Sequence, residues 1–272
     1  MSYALVTGAA KGIGRAIAAE LAKKGYHLLL VDIDNKRLPA TTEQLSNRYG
    51  VNAEYLVLDL SLSDAAQQLK DWSRPWQDQL NVVVNNAGFG LNVAFESSPL
   101  AEQLNIIDVN VKAQLQIAHA FIPVLKQFKQ SYLLNVGSTT CYQSVPYLAI
   151  YAASKAFVIS FTRSLRYELK DSSISVSCLI PGSTDTDFVH RARMGEKIRR
   201  TADKFNMSPE EVGRIAVKGL FNKRAEIIPG FTNKLNAWLP KFFPKLLTER
   251  IAANIYRPVP ENFPVEQAVS QP

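Results

Sequence analysis

The sequence has few of the residues from which metal centres and covalent cross-links are built. Among its 272 residues are two cysteines, Cys141 and Cys178, and three histidines. Two cysteines provide no disulfide framework, and His27, His119 and His190 lie far apart without the spacing of metal ligands. We therefore expect no metal site, structural or exposed histidines, and an inert buried thiol at Cys178, which falls in a strand pattern.

Long apolar runs are also missing. No stretch of about 18 consecutive apolar residues occurs, so no membrane-spanning helix is predicted. No basic, apolar leader precedes the first strand pattern, and the expected location is the cytoplasm. Hydrophobic residues make up 47% of the chain and charged residues 20%, as is usual for soluble proteins. The net charge of +7 modestly favours anionic partners, but no nucleic-acid-binding motif accompanies it.

Strand and helix patterns alternate along the chain, which predicts a single α/β domain over residues 1–256 and a flexible tail over 257–272. Buried parallel strands are predicted at residues 3–7, 27–31, 53–58, 81–84, 132–136 and 174–180, with a seventh at 226–228. Helical patterns cover residues 13–24, 36–49, 63–78, 99–129, 151–170 and 208–222. Right-handed crossovers then give a doubly wound Rossmann-type sheet of about seven parallel strands, with helices on both faces.

A glycine-rich turn joins the first strand pattern to the first helix. Residues 7–14 run Thr-Gly-Ala-Ala-Lys-Gly-Ile-Gly, with glycines at Gly8, Gly12 and Gly14. Glycine allows unusual backbone angles and close approach of a pyrophosphate, and the helix N-terminus offers free N–H groups to phosphates. Standing alone, such a turn is more often structural. Asp32, at the end of the second strand pattern, is placed to bind an adenosine ribose and favours dinucleotide binding.

Tyr151 and Lys155 stand four residues apart in a predicted helix, so their side chains share one face. A phenol has an ordinary pKa of about 10, and a nearby ammonium lowers that pKa toward the range in which acid–base catalysis is useful. Ser138, just after a strand pattern, could hold a carbonyl or alcohol oxygen against the phenol. A packing tyrosine, a solvated lysine and a serine turn cap are the alternatives for isolated residues of these types.

Taken together, these motifs resemble those of the short-chain dehydrogenase/reductase family, in its single-domain branch. Within the family, Leu148 to Phe157 and the segment Ile-Ile-Pro-Gly at 227–230 are similar to a reductase-like group. The resemblance rests on Thr7-Gly8-x-x-x-Gly12-x-Gly14, Asp59, Asn85-Asn86-Ala87-Gly88, Asn110, Ser138, Tyr151, Lys155 and Pro181-Gly182.

The resemblance implies an NAD(P)-dependent oxidoreductase that moves a hydride between the nicotinamide and a secondary alcohol or ketone carbon. Tyr151 would act as general acid/base, Lys155 would lower its pKa and bond the nicotinamide ribose, and Ser138 would orient the substrate oxygen, so that Ser138 and Tyr151 contact the substrate. Asn110 would break its long helix locally and support a water between Lys155 and solvent; a satisfied buried asparagine is the alternative. For the whole protein, the alternative is a catalytically silent dinucleotide-binding scaffold or regulator.

The resemblance also implies which residues contact the cofactor. Those after the third and fourth strands would border the adenine and its ribose, and the turn after the sixth would meet the carboxamide. The expected set is Gly8, Lys11, Gly12, Ile13, Gly14, Asp32, Asp59, Leu60, Asn86, Ala87, Gly88, Tyr151, Lys155, Pro181, Gly182, Thr184 and Thr186.

Two of these residues conflict over the choice of cofactor. The carboxylate of Asp32 favours NAD, because it bonds the 2′-hydroxyl and repels a 2′-phosphate. Lys11 occupies a position where NADP-using relatives often have a basic residue. Ile33 follows Asp32 where an arginine usually clamps the phosphate. We expect NAD, with NADP as the alternative.

The last third of the chain is basic and aromatic. Residues 187–205 follow the expected nicotinamide turn and are predicted to form a substrate lid. In 231–256, prolines at 240 and 244 interrupt any long helix. That segment is expected to cover the cleft or a subunit contact, with weak peripheral contact to an anionic membrane as the alternative. The resemblance also implies a homodimer or homotetramer that pairs through helices 99–129 and 151–170. Apolar positions on these helices fit that pairing, although core packing explains them equally well.

Overall fold

Seven parallel strands form the central sheet, in the order β3-β2-β1-β4-β5-β6-β7. The computed structural model describes residues 2–195 and 206–258. The order reverses between β1 and β4, so a crevice opens at the carboxyl ends of these two strands. The predicted doubly wound fold is confirmed, with strands β1 (Tyr3–Thr7), β2 (His27–Asp32), β3 (Ala53–Val57), β4 (Leu80–Asn85), β5 (Ser131–Val136), β6 (Ile174–Leu179) and β7 (Glu226–Ile227).

Helices cover both faces of this sheet, because strand side chains alternate between two cores. Ala4 and Val6 of β1 face one core, and Tyr3 and Leu5 face the other. The helices are α1 (Gly12–Ala22), α2 (Arg37–Tyr49), α3 (Ala65–Trp72), α4 (Leu100–Ile107), α5 (Gln114–Leu125), α6 (Ala149–Glu168), α7 (Phe188–Arg191), α8 (Pro209–Phe221), α9 (Phe231–Trp238) and α10 (Lys245–Tyr256). Single 3-10 turns lie at Arg74–Trp76, Phe95–Ser97, Thr139–Tyr142 and Leu239–Lys241.

Three sequence expectations need correction. The predicted strand 53–58 is not buried, because β3 lies at the edge of the sheet and leaves Tyr55 and Val57 exposed. The predicted helix 63–78 is shorter in the structure, where α3 ends at Trp72. A 3-10 turn at Arg74–Trp76 follows, and it contains Pro75, which cannot donate a backbone hydrogen bond. The predicted helix 99–129 is α4, a π-helical segment at Asp108–Ala113, and α5.

Two short helices, α9 and α10, follow β7. A 3-10 turn separates α9 from α10 at the predicted proline interruption. The amide of Asn92 donates to the backbone oxygen of Tyr256 at 2.8 Å, which ties the end of α10 to the loop after β4. Part of the predicted lid (196–205) and most of the predicted tail (259–272) lie outside the described residues. Within the described ranges, no helix has the length and apolar character needed to span a membrane.

Candidate active site

A cleft of about 690 Å³ runs along the carboxyl ends of the strands, where the sheet order reverses. Crevices at this position are where open α/β sheets bind their ligands. Most of the predicted site residues line it, whereas Gly14 and Asn110 lie behind its wall. The predicted residues in the wall are Gly8, Lys11, Gly12, Ile13, Asp32, Asp59, Leu60, Asn86, Ala87, Gly88, Ser138, Tyr151, Lys155, Pro181, Gly182, Thr184 and Thr186.

The glycine turn is held against the loop after β4 by partly buried hydrogen bonds. Asn86 donates its side-chain amide to the backbone oxygens of Thr7 at 2.9 Å and Gly8 at 3.1 Å. The hydroxyl oxygen of Thr7 accepts from the backbone N–H of Asn86 at 3.0 Å. A Cβ on Gly14 would lie 2.1 Å from the backbone oxygen of Gly8. Gly14 is therefore required for packing within the turn, and Asn86 shapes the turn from the end of the neighbouring strand β4.

Two carboxylates stand at the adenine end of the predicted cofactor site, each fixed by backbone donors. Asp32 accepts from the N–H of Ala10 at 2.9 Å and from that of Asp34 at 3.0 Å. Asp59 accepts from the N–H of Ser61 at 2.9 Å. These bonds hold both carboxylates in one orientation at the wall of the cleft.

Lys11 is part of a charge cluster that the sequence patterns did not indicate. Its Nζ lies 2.8 Å from a carboxylate oxygen of Asp187, and the same oxygen lies 2.7 Å from the Arg37 guanidinium. Hydrogen bonds from Lys11 and then Arg37 hold the pKa of Asp187 below its ordinary value. The partners lie 176 and 150 residues apart in sequence, so no local spacing could have revealed them. The cluster joins the glycine turn and α2 to the segment after β6.

Tyr151 lies buried in the first turn of α6, with its ring 5.1 Å from that of Phe188. Burial raises the Tyr151 pKa to about 12, and a hydrogen bond with Ser138 acts in the opposite direction. The pKa of Tyr151 is therefore shifted upward, opposite to the expected lowering, because the loss of hydration outweighs the favourable contacts of the phenol. Ser138 also caps the 3-10 turn, because its hydroxyl oxygen accepts from the N–H of Thr140 at 3.3 Å, so the capping alternative holds. The same residue lines the cleft.

Lys155 shares the inner face of α6 with Tyr151, as the spacing predicted. Its Nζ donates to the backbone oxygen of Val136 at 2.9 Å and lies 5.8 Å from the centroid of the Tyr151 ring. Burial lowers the Lys155 pKa to about 8. A Cβ on Gly88 would lie 2.9 Å from the side-chain oxygen of Asn110 and 3.1 Å from this Nζ, so the loop after β4 passes both side chains closely. The ammonium thus stands in the wall between the loop and the tyrosine.

Asn110 is completely buried in the π-helical segment, which bears out the predicted local break in the helix. Its side-chain oxygen accepts from the N–H of Phe89 at 3.0 Å, and its amide donates to Phe89 O at 2.9 Å and Ser154 Oγ at 3.0 Å. These contacts fit the satisfied-asparagine alternative. Asn110 joins the loop after β4 to α6 and does not line the cleft; its predicted water contact stays a prediction.

The turn after β6 is shaped by its own polar groups and by α9. The Thr184 hydroxyl donates to the Gly182 oxygen at 3.2 Å, and the Thr186 hydroxyl accepts from the N–H of Phe188 at 3.3 Å, at the start of α7. A Cβ on Gly182 would lie 2.0 Å from the side-chain oxygen of Asn233. Gly182 therefore permits the close approach of α9 to the cleft.

The far end of the cleft is apolar and comes from residues that motif reasoning missed. Tyr151 packs in a buried cluster whose other members belong to the loops beside the cleft, α6 and α10. They are Val145, Leu148, Ala152, Ala192, Met194 and Ala252, with Phe188 and Tyr256 against them. Two sequence expectations pointed here. Phe188 and Met194, from the predicted lid 187–205, line the cleft, as do Leu235, Ile255 and Tyr256, from the segment expected to cover the cleft or a subunit contact. In the described residues, no group of three or more His, Cys, Asp or Glu side chains could hold a metal ion.

Comparison with known proteins places this geometry in context. A family model described as short chain dehydrogenase matches residues 2–197. The chain is 34% identical over 180 residues to a very-long-chain 3-oxoacyl-CoA reductase of Laccaria bicolor, covering 65% of this chain and 53% of that protein. It is 36% identical over 188 residues to 1-deoxy-11-beta-hydroxypentalenate dehydrogenase of Streptomyces avermitilis, covering 68% and 69%.

Solved structures show the same fold. A short-chain dehydrogenase from Sphingobium yanoikuyae, in complex with NADPH, matches with a TM-score of 0.78 and 26% identity, over 90% of this chain and 96% of that one. Matches to the first two curated relatives span only 53% and 59% of their lengths.

Proposed function

The chain belongs to the short-chain dehydrogenase family, and on that premise we propose that it is an NAD(P)-dependent oxidoreductase acting on a secondary alcohol or ketone. The observation that carries this proposal is the meeting of two features in one cleft. The glycine turn and its fixed carboxylates line one end, and Ser138, Tyr151 and Lys155 line the other. A nicotinamide dinucleotide would supply the hydride acceptor or donor.

The residues of the turn fit such a dinucleotide. Gly8 and Gly12 have φ angles of +65° and +57°, which residues other than glycine rarely adopt. The turn leads into the N-terminus of α1, whose free N–H groups attract phosphates. Asp32 and Asp59 stand where the adenosine half would lie.

The titration behaviour of the buried pair favours carbonyl reduction. A phenol with a pKa of about 12 is protonated near neutral pH and can donate its proton to a carbonyl oxygen held by Ser138. As the proton leaves, Tyr151 gains negative charge, and the nearby ammonium of Lys155 stabilises it. We therefore propose Tyr151 as the general acid, Ser138 as the group that orients the oxygen, and Lys155 as the stabilising cation.

We propose NAD as the preferred cofactor, for an electrostatic reason. The Asp32 carboxylate is fixed at the adenine end, where it would repel a 2′-phosphate. Lys11, the candidate phosphate ligand, already pairs with Asp187. Dissociation constants measured for NAD and NADP test this choice, and tighter binding of NADP contradicts it.

We further propose a cytoplasmic homodimer or homotetramer that pairs through α4, α5 and α6. The supporting observation is apolar exposure on this side of the molecule: Leu104 is 49% exposed, Leu115 41% and Phe157 38%. Light scattering of the wild type and of Leu104→Asp tests the assembly. A monomeric wild type contradicts it.

The competing function is a silent dinucleotide-binding scaffold. Against it, Ser138, Tyr151 and Lys155 are retained in one cleft, which cofactor binding alone does not require. Turnover with both cofactors and a panel of ketones and secondary alcohols tests the enzyme proposal. Tight dinucleotide binding without turnover of any panel member favours the scaffold.

A further inference from the structure

Large apolar side chains are concentrated on the outside of α9, α10 and the turn between them. Among the described residues, eight of the eighteen exposed large apolar side chains lie here, so scattered exposure does not explain them. We call this region the C-terminal apolar surface: Phe231, Leu235, Phe242, Phe243, Leu246, Leu247, Ile251 and Ile255.

The arrangement of these side chains on α10 is that of an unpartnered amphipathic helix. Leu247, Ile251 and Ile255 follow one another at four-residue intervals and therefore form one stripe. They are 44%, 52% and 44% exposed, whereas Ala252, about 100° around the helix from Ile251, is 1% exposed. The inner face of α10 is thus packed on the protein, and the outer face presents a continuous apolar stripe.

The charges around the surface are almost all positive. Lys234, Lys245 and Arg250 are exposed beside the apolar side chains, and Glu249 is the only acidic residue in 231–258. Leucine, isoleucine and phenylalanine flanked by lysine and arginine are typical of helices that lie in the headgroup boundary of an anionic bilayer. A second copy of the chain is a poorer partner, because a two-fold contact would bring the same cations together.

This surface continues into the active-site cleft. Leu235 and Ile255 are each more than two-fifths exposed and also line the cleft. Tyr256, next in the chain, lines the same cleft and packs in the apolar cluster that contains Tyr151. An apolar path therefore leads from the outer face of α10 to the proposed acid.

We propose that the C-terminal apolar surface docks on the headgroup region of an anionic lipid bilayer, and that a lipophilic ketone or alcohol enters the cleft from that bilayer. The docking stands on exposure, helical spacing and charge. The delivery of substrate rests on the proposed function as well. The two parts are tested by separate measurements.

Docking is measured by co-sedimentation of the full chain with phosphatidylcholine vesicles, with and without phosphatidylserine. We expect binding to the anionic vesicles that weakens with added salt, and a loss of about tenfold or more in Ile251→Asp, since a charge then enters the apolar boundary. Removing one cation in Lys245→Gln should weaken binding about fivefold, since each basic residue near such a surface contributes on the order of 1 kcal/mol. Tyr167→Asp, which alters a 71% exposed side chain on α6, is the matched control and should bind as the wild type does.

Wild-type protein that stays in the supernatant, or Ile251→Asp that binds as well as the wild type, overturns the docking. If Ile251→Asp instead lowers the molar mass in light scattering and leaves sedimentation with vesicles unchanged, the surface is a contact between copies and the proposal is wrong. Circular dichroism and thermal unfolding of each variant verify that the fold is retained.

Delivery is measured by comparing reduction of a small water-soluble ketone with that of a long-chain ketone dissolved in anionic vesicles. Ile251→Asp should lower the second rate about as much as it lowers vesicle binding and should leave the first unchanged. Equal loss of both rates, or of neither, contradicts delivery. Vesicle binding without turnover of either ketone would contradict the proposed function and leave the docking intact.

Discussion

The two ends of the cleft are held in place by different forces. At the dinucleotide end, Asn86, Thr7 and Asp32 bond to backbone atoms, and glycines remove the side chains that would separate the strands. At the C-terminal end, the wall consists of apolar side chains, of which Leu235 and Ile255 are partly exposed. Backbone hydrogen bonds fix one geometry, whereas apolar contacts adapt to many shapes. The first end is suited to one invariant ligand and the second to a variable one.

Removing one tyrosine hydroxyl from the first turn of α6 and another from the end of α10 gives the sharpest contrast. Tyr151→Phe removes the proposed acid and should lower kcat by about 10²- to 10⁴-fold, the usual contribution of a positioned acid. Tyr256→Phe alters a second, partly buried phenol in the same cleft and should change mainly KM. Steady-state kinetics with NADH and a ketone, beside dinucleotide binding by fluorescence, measures both. Equal kcat values for Tyr151→Phe and the wild type would remove the acid from the mechanism.

A similar pair of substitutions compares the packing of the two ends. A Cβ at Gly14 meets the backbone oxygen of Gly8, and a Cβ at Gly182 meets the side-chain oxygen of Asn233. Backbone in the turn cannot move without breaking the bonds from Asn86, whereas the Asn233 side chain can rotate away. Gly14→Ala should therefore lower the free energy of unfolding by about 3 kcal/mol and Gly182→Ala by about 1 kcal/mol. Denaturant unfolding gives both values, and the reverse order contradicts this account.

The sequence predicted the dinucleotide end better than the C-terminal end, for a physical reason. Motifs such as Gly8 to Gly14 record constraints that act within one turn, and parallel strands bring their carboxyl ends together in any doubly wound sheet. Strand bounds were therefore predicted closely, and Ser138, Tyr151 and Lys155 meet as expected. The exposure of β3 was not foreseen, because an edge position depends on strand order.

What the sequence could not provide was information carried by long-range contacts and by hydration. The ion pairs of Asp187 join residues distant in the chain, and no spacing predicts them. The pKa direction of Tyr151 was wrong because spacing reports the neighbouring Lys155 but not the burial that both residues share. Composition alone indicated that 231–256 is basic and apolar, and only the fold places its side chains at the mouth of the cleft.

The pH dependence of reduction tests the catalytic end. Burial lowers the Lys155 pKa to about 8, so the side chain is cationic below that pH and neutral above it. Since the cation stabilises the forming phenolate, kcat for reduction should be constant below pH 8 and fall about tenfold per pH unit well above it. Lys155→Arg keeps its charge throughout this range and should lose the inflection near pH 8. If the inflection persists unchanged in Lys155→Arg, it belongs to the titration of another group.

The smallest expected effect lies at the outer edge of the dinucleotide end, in the ion pairs of Asp187. Lys11 and Arg37 are 40% and 55% exposed, so water screens their attraction to the carboxylate. Asp187→Asn frees Lys11 and leaves Arg37 with its longer pair to Asp34, at 3.8 Å. It should raise affinity for NADP about fivefold relative to NAD. Asp171→Asn changes a carboxylate that lies outside the cleft wall and controls for net charge. If NADP affinity rises equally in both variants, net charge sets the cofactor preference, and loss of the pairs with Asp187 does not. If it rises in Asp187→Asn alone, the choice of cofactor depends on a residue of the segment after β6 as well as on Asp32.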